Sequence, residues 1–131
     1  MYSITVSHYF MVAHSLAGAV FGPAQQLHGA TLVAEAELRR ESLDADGIVC
    51  DIGRALGVLK AVLGELDYRN LDELAEFRGQ NTTTEFLAGE IHRRLSRRIK
   101  AGELGSSTIA SLRVVLRETP AAWAAYDAPL G

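Results

Sequence analysis

The stretch from Gly29 to Arg40, GATLVAEAELRR, alternates with period two. Ala34, Ala36 and Leu38 fall on one side and Glu35, Glu37 and Arg39 on the other. Successive side chains of a strand point to opposite faces, so this is a strand with one face in a core and one in water. The same logic extends in both directions. Ser3 to Ala13 is apolar and rich in aromatic and β-branched residues, which suits a strand. Between the two, Ser15 to Gln26 carries Ala17, Gly18, Gly22 and Pro23 and reads as a loop.

Beyond Arg40, Asp44 to Gly47 is a turn and Ile48 to Cys50 a short extended piece. Asp51 is placed to cap a helix. Ile52, Leu56, Leu59, Leu63 and Leu66 follow helical spacing, so Ile52 to Leu66 is an amphipathic helix. Asp67 to Gln80 is a polar connection. Asn81 to Thr84 opens a second helix, with Glu85 in its first turn where a carboxylate meets the positive end of the helix dipole. Leu87, Ile91, Leu95 and Ile99 form its stripe, and Gly102 to Ser107 breaks it. Thr108 to Thr119 alternates again, with Leu112, Val114 and Leu116 on one face. Pro120 marks a turn, and Ala121 to Asp127 is a last strand.

The order ββααββ predicts an α+β domain spanning residues 1–131, with two helices on a four-stranded antiparallel sheet. Its outer strands are open edges, which proteins cover or pair. Pairing with neighbouring subunits is the expected solution.

Composition narrows the function. Lys and Arg number 13 against 16 Asp and Glu, for a net charge of −3, the wrong balance for a nucleic-acid binder. The basic run Arg93, Arg94, Arg97, Arg98 and Lys100 reads first as a solvated helix face, with an anion or phosphate contact as the sharper alternative. A single cysteine, Cys50, excludes an intrachain disulfide. The longest apolar stretch, Val12 to Gly22, is too short to span a bilayer. The N-terminus lacks a basic segment and a long apolar one, so the cytoplasm is the expected compartment.

Four histidines and few other reactive groups carry what chemistry there is. His14 ends the first strand, and His28 comes fourteen positions later, just before the second. On their residue types alone each is an ordinary packed or surface residue. Glu118 is different. It follows Leu112, Val114 and Leu116 on an apolar strand face, and a carboxylate there needs a reason.

Five short motifs supply one in combination: Ala13-His14; Leu27-His28-Gly29; Asp46 to Asp51; Thr83-Thr84-Glu85; and Arg117-Glu118-Thr119 followed by Trp123 to Tyr126. In this order and spacing the chain resembles the family of 6-pyruvoyl-tetrahydropterin and 6-carboxytetrahydropterin synthases. The resemblance implies the tunnelling fold, in which ββααββ subunits join edge to edge into a barrel. It also implies a homo-oligomer, trimer or hexamer, with small-molecule sites between subunits.

The family's zinc takes three imidazoles, from an Ala-His and a Leu-His-Gly-His. His14 and His28 match two ligands, and Ala30 stands where the third would be. Zinc is therefore possible, but its site is incomplete. The family nucleophile, a cysteine four residues before the histidine pair, is Ala24 here. The family's Leu-Asp-His-His-x-Leu becomes Leu66-Asp67-Tyr68-Arg69-Asn70-Leu71, which keeps Asp67 and puts a phenol at Tyr68 in place of the relay imidazole. Glu118 matches the carboxylate that anchors the pterin, and Thr83 and Thr84 match the threonines beside that pocket. The implied protein is a diverged member that binds a pterin or a similarly edged ligand. Its chemistry would be an altered, lyase-type reaction using Asp67 and Tyr68. A catalytically inactive binding or assembly protein and a true 6-carboxytetrahydropterin synthase with a rearranged site are the alternatives.

Overall fold

The computed structural model describes residues 1–105 and 108–130. Two thirteen-residue strands, β1 (Tyr2–His14) and β2 (His28–Arg40), pair antiparallel from Tyr2 opposite Arg40 to His14 opposite His28. β2 then pairs with β4 (Ser111–Thr119), and β4 with β5 (Ala122–Pro129). The alternation read in β2 is the one that folds: Ala34, Ala36 and Leu38 are buried, as are Val6, Phe10 and Val12 of β1 and Leu112, Val114 and Leu116 of β4. Helices α1 (Ile52–Gly64) and α2 (Thr84–Lys100) cover this apolar face, α1 against β1 and α2 against β4 and β5.

The caps follow the sequence. Asp51 accepts the Arg54 N–H at 2.9 Å, and Thr83 Oγ1 accepts the Phe86 N–H at 3.1 Å. Each satisfies one orphan donor of a helix start. The α1 stripe is centred on Ala55, Val58, Leu59, Val62 and Leu63. Ile52 shares their direction but occupies the first helical position, where no further turn packs beside it, and it is 59% exposed. α1 also ends at Gly64, before Leu66. The break expected over Gly102 to Ser107 holds as far as Gly105; Ser106 and Ser107 lie outside the described residues.

The sheet has five strands rather than four, in the order β3-β1-β2-β4-β5. The addition is β3, Arg69–Asn70, which runs parallel to β1 at Val12 and Ala13. A two-residue strand leaves no periodic signal, which is why the polar connection concealed it. It is held in place by the backbone: the Met11 N–H donates to Asp67 Oδ1 at 2.8 Å, and the Tyr68 N–H donates to the Met11 carbonyl at 2.7 Å. The rest of the β1 edge, and the outer edge of β5, carry no strand among the described residues. No described helix is long and apolar enough to cross a membrane.

The basic run is not uniformly solvated. Arg94 is buried, and its guanidinium meets Glu90 at 2.7 Å, Glu65 at 2.9 Å and Glu76 at 3.0 Å. Arg98 adds Glu65 and Glu103. These contacts tie the end of α1 and the connection after it to α2. Burial alone would raise the Glu65 and Glu90 carboxyls, but the arginine hydrogen bonds outweigh it and hold both below the ordinary 4.5. Carboxyls depressed in the folded state contribute stability that is fully present above pH 4.5 and lost as pH falls through their folded values. Breaking a buried pair costs roughly 3–5 kcal/mol. Here water reaches Glu65 and Glu76, so Arg94→Met should destabilise by about 2 kcal/mol. Urea titrations at pH 7 and pH 3.5 check this: the gap between parent and variant should shrink at the lower pH.

Candidate functional site

His14 and His28 face each other across the β1–β2 pair, on the same side of the sheet as Val12 and Leu32. Their ring centres are 4.6 Å apart, at an interplanar angle of 54°. Each ring is fixed at Nδ1. His14 Nδ1 bonds Thr82 Oγ1 at 3.0 Å, a hydroxyl that is itself buried. His28 Nδ1 lies 2.9 Å from the Gln26 carbonyl. A carbonyl can only accept, so His28 carries its proton on Nδ1 and, in the uncharged ring, has a lone pair on Nε2.

Two loops bracket the pair. Ser15 gives its N–H and hydroxyl to the Asp72 carboxylate, at 3.0 and 2.5 Å. Asn81 clasps Ala17, accepting its N–H at 2.8 Å and donating to its carbonyl at 2.9 Å. The chain leaving β1 is thereby tied to the segment that carries Thr82. Burial, and then the neighbouring His28, push the His14 imidazole below its ordinary 6.5, against opposing pulls from Thr82, Asp72 and Glu118.

Glu118 stands in a β-bulge. Arg117 pairs with Trp123 and Thr119 with Ala122, which leaves Glu118 the extra residue. Bulges re-aim side chains and recur beside functional sites. Glu118 is exposed and makes no hydrogen bond or ion pair among the described residues. It borders a cavity of about 340 Å³ lined also by Thr84, Trp123 and Ala124, and a second of about 320 Å³ with Thr31, Val33 and Arg117. Thr84 lines the first of these cavities, whereas Thr83 has its hydroxyl engaged as the α2 cap. A further cavity of about 890 Å³, between α2 and β5, is lined by neither histidine of the pair nor Glu118.

Asp67 and Tyr68 sit elsewhere, on the β1 edge beside Met11. The Asp67 carboxylate is engaged with the backbone of β1, and no hydrogen bond or ring contact joins either residue to the histidine pair. Tyr68 is 80% exposed and adopts φ 59°, a left-handed conformation uncommon outside glycine.

The remaining reactive groups lie out of reach. Ala24 lies in a 3-10 turn (Ala19–Gln25) and offers no nucleophile. The Cys50 thiol is buried and pushed up by that burial and by Asp51. His92 donates Nε2–H to the Leu112 carbonyl at 2.9 Å and packs on Tyr126. Among the described residues no three His, Cys, Asp or Glu side chains group around a point where a metal ion could sit. Catalytic zinc takes three protein ligands and an open position, so the residues present do not fit it. Sequence reasoning missed Thr82, although it directly precedes the threonine motif, and also the Ser15–Asp72 and Asn81–Ala17 ties.

A mainly antiparallel sheet under two helices, with facing histidines at one end and a carboxylate on a nearby bulge, defines a tunnelling-fold protein of the pterin-synthase type. The chain belongs to the 6-pyruvoyl tetrahydropterin synthase family, whose model matches residues 3–129. Among solved structures, 6-pyruvoyl tetrahydropterin synthase of Caenorhabditis elegans aligns at 23% identity and TM-score 0.81, over 97% of this chain and 95% of that one. The Plasmodium vivax enzyme aligns at 18% identity and TM-score 0.79, over 98% of both chains. The Plasmodium falciparum enzyme aligns at 20% and 0.75, over 97% and 98%. These likenesses establish the fold. Comparison by sequence with curated proteins gives no significant match.

Proposed function

We propose that this protein binds a pterin, or a small molecule with a similar amidine edge, in the cavity at Glu118, as a trimer or hexamer whose neighbouring subunits complete the pocket. The observation that carries this reading is the exposed Glu118 carboxylate, which makes no hydrogen bond or ion pair among the described residues and is set in a bulge beside a cavity that Thr84 also lines. A carboxylate can accept two parallel hydrogen bonds from a planar pair of N–H groups. The open edges of β1 and β5 support assembly, since unpaired backbone seeks a partner strand. Tyr68, exposed on the β1 edge, is placed to offer its phenol to an adjoining subunit. With Asp67 it is the acid–base equipment available for an altered, lyase-type reaction in the cytoplasm.

A second reading, ligand binding without turnover, is favoured by Ala24 and Ala30, which remove the family's nucleophile and third imidazole. Calorimetry with a small pterin panel, run beside light scattering, tests the main reading. We expect binding by an assembled protein. A monomer at micromolar concentration that binds no pterin would overturn it. Chromatography of the recovered ligand separates the two readings, because an enzyme returns it changed.

A further inference from the structure

We propose that the groove between α2 and β5 receives the Glu41–Ile48 corner of a second copy of this chain, through apolar contact and opposite charge. The docking presupposes the assembly proposed above and adds to it a contact outside the sheet. The groove, about 890 Å³, has Phe86, Tyr126 and Pro129 in its apolar lining, with Arg97 and Lys100 beside them. Both cations are exposed, and neither makes a hydrogen bond or ion pair among the described residues, whereas Arg93 is held by Glu90. The corner lies at the start of β1. Tyr2, Leu43 and Ile48 are exposed there and line one shallow cavity of about 240 Å³. An exposed apolar patch with a polar rim marks an interaction site. This rim is acidic. The Glu41 and Asp46 carboxylates are exposed and make no hydrogen bond or ion pair among the described residues, while Arg40 turns its guanidinium to the Val49 carbonyl.

The sheet register places these two features so that they can meet. Ser3 pairs with Arg39, Arg39 with Ser111 and Ser111 with Pro129, so the start of β1 and the end of β5 are level on opposite edges. Ile4 stands opposite buried Leu38, and Ala128 opposite buried Leu112, so both features lie on the helix-covered face. Helix α2 begins at Thr84, which shares a cavity with Glu118, and runs toward the Pro129 end, where Arg97 and Lys100 therefore stand. Three antiparallel pairings separate β1 from β5, so the two edge strands run in opposite directions. Rotating a copy about an axis along the strands then sets its β1 antiparallel to the first copy's β5 and brings like ends together. The basic apolar groove meets the acidic apolar corner, and such a heterologous contact closes into a ring. A two-fold pairing of like edges turns one copy end for end and keeps the two features apart.

The test is a charge swap on the full chain, read by sedimentation over a series of protein concentrations. One double variant carries Arg97→Glu and Lys100→Glu, the other Glu41→Lys and Asp46→Lys, and a fourfold variant carries all four. Every substituted side chain is exposed, so the variants keep the fold, and far-UV circular dichroism verifies it. We expect each double variant to need about tenfold more protein than the parent to assemble, since attraction across the contact becomes repulsion. The fourfold variant should assemble within about threefold of the parent, because its opposite charges face each other again. A double variant that assembles as the parent does, or a fourfold variant as dissociated as the doubles, would overturn the docking and leave the strand pairing in place. A parent that stays monomeric would overturn both.

Discussion

Glu118→Gln should lower affinity for pterins by about tenfold to a hundredfold. The parent carboxylate presents two acceptor oxygens to a ligand edge with two adjacent donors. Glutamine keeps the size and shape but turns one oxygen into an NH₂, so a donor confronts a donor. Hydrogen bonds to charged groups contribute roughly 1.5–3 kcal/mol, and each 1.4 kcal/mol is a factor of about ten. The variant separates recognition from folding unusually well. Glu118 is exposed and makes no hydrogen bond or ion pair among the described residues, so stability should move by no more than about 0.5 kcal/mol. A urea midpoint unchanged beside a weakened calorimetric Kd is the expected pair of results. Equal affinity in parent and variant would mean that the bulge merely exposes a charge, and that the ligand lacks an amidine edge.

The parts of the fold that were legible in the sequence are those in which burial writes a period. The alternation of Gly29 to Arg40 and of Leu112 to Leu116 survives folding because one face of each strand is turned into the core. The stripe Leu87, Ile91 and Leu95 does the same for α2. Features built from single backbone contacts were not legible. β3 exists because Asp67 and Tyr68 bond the backbone of one residue, Met11. The bulge at Glu118 is a register shift between two strands, and no local pattern announces it. Arg94 looked like its neighbours in a basic run, yet its carboxylate partners come from three separate segments. The motifs indicated which residues to watch. They did not indicate that Thr83 caps α2 while Thr82 holds His14, because three consecutive threonines differ only in where the helix happens to begin.

Ala30→His should turn a protein that holds little zinc into one that holds it stoichiometrically. Position 30 lies two residues beyond His28 on the same strand face, opposite Val12, itself two residues before His14. Residues two apart on a strand are about 7 Å apart, so three imidazoles would converge on one face. Thr82 and the Gln26 carbonyl already hold the two native rings. Loss of such supporting contacts alone costs metal affinity about 10–100-fold; gain of an actual ligand should tighten binding by at least about that much. There is an opposing cost. Ala30 is partly buried against the core, and overpacking costs roughly 1–3 kcal/mol in the absence of metal. The variant should therefore melt below the parent in EDTA and recover with added zinc, by a margin that grows with free zinc concentration. Its activity should not return. Ala24 still offers no nucleophile, and groups that act as a unit are not restored one at a time. Metal analysis after purification without added zinc, followed by thermal melts with and without EDTA, checks every step. Zinc at one per chain in the unmodified protein would reveal a ligand not recognised above. An Ala30→His protein that folds but takes up no zinc would show that the native pair does not converge on a common point.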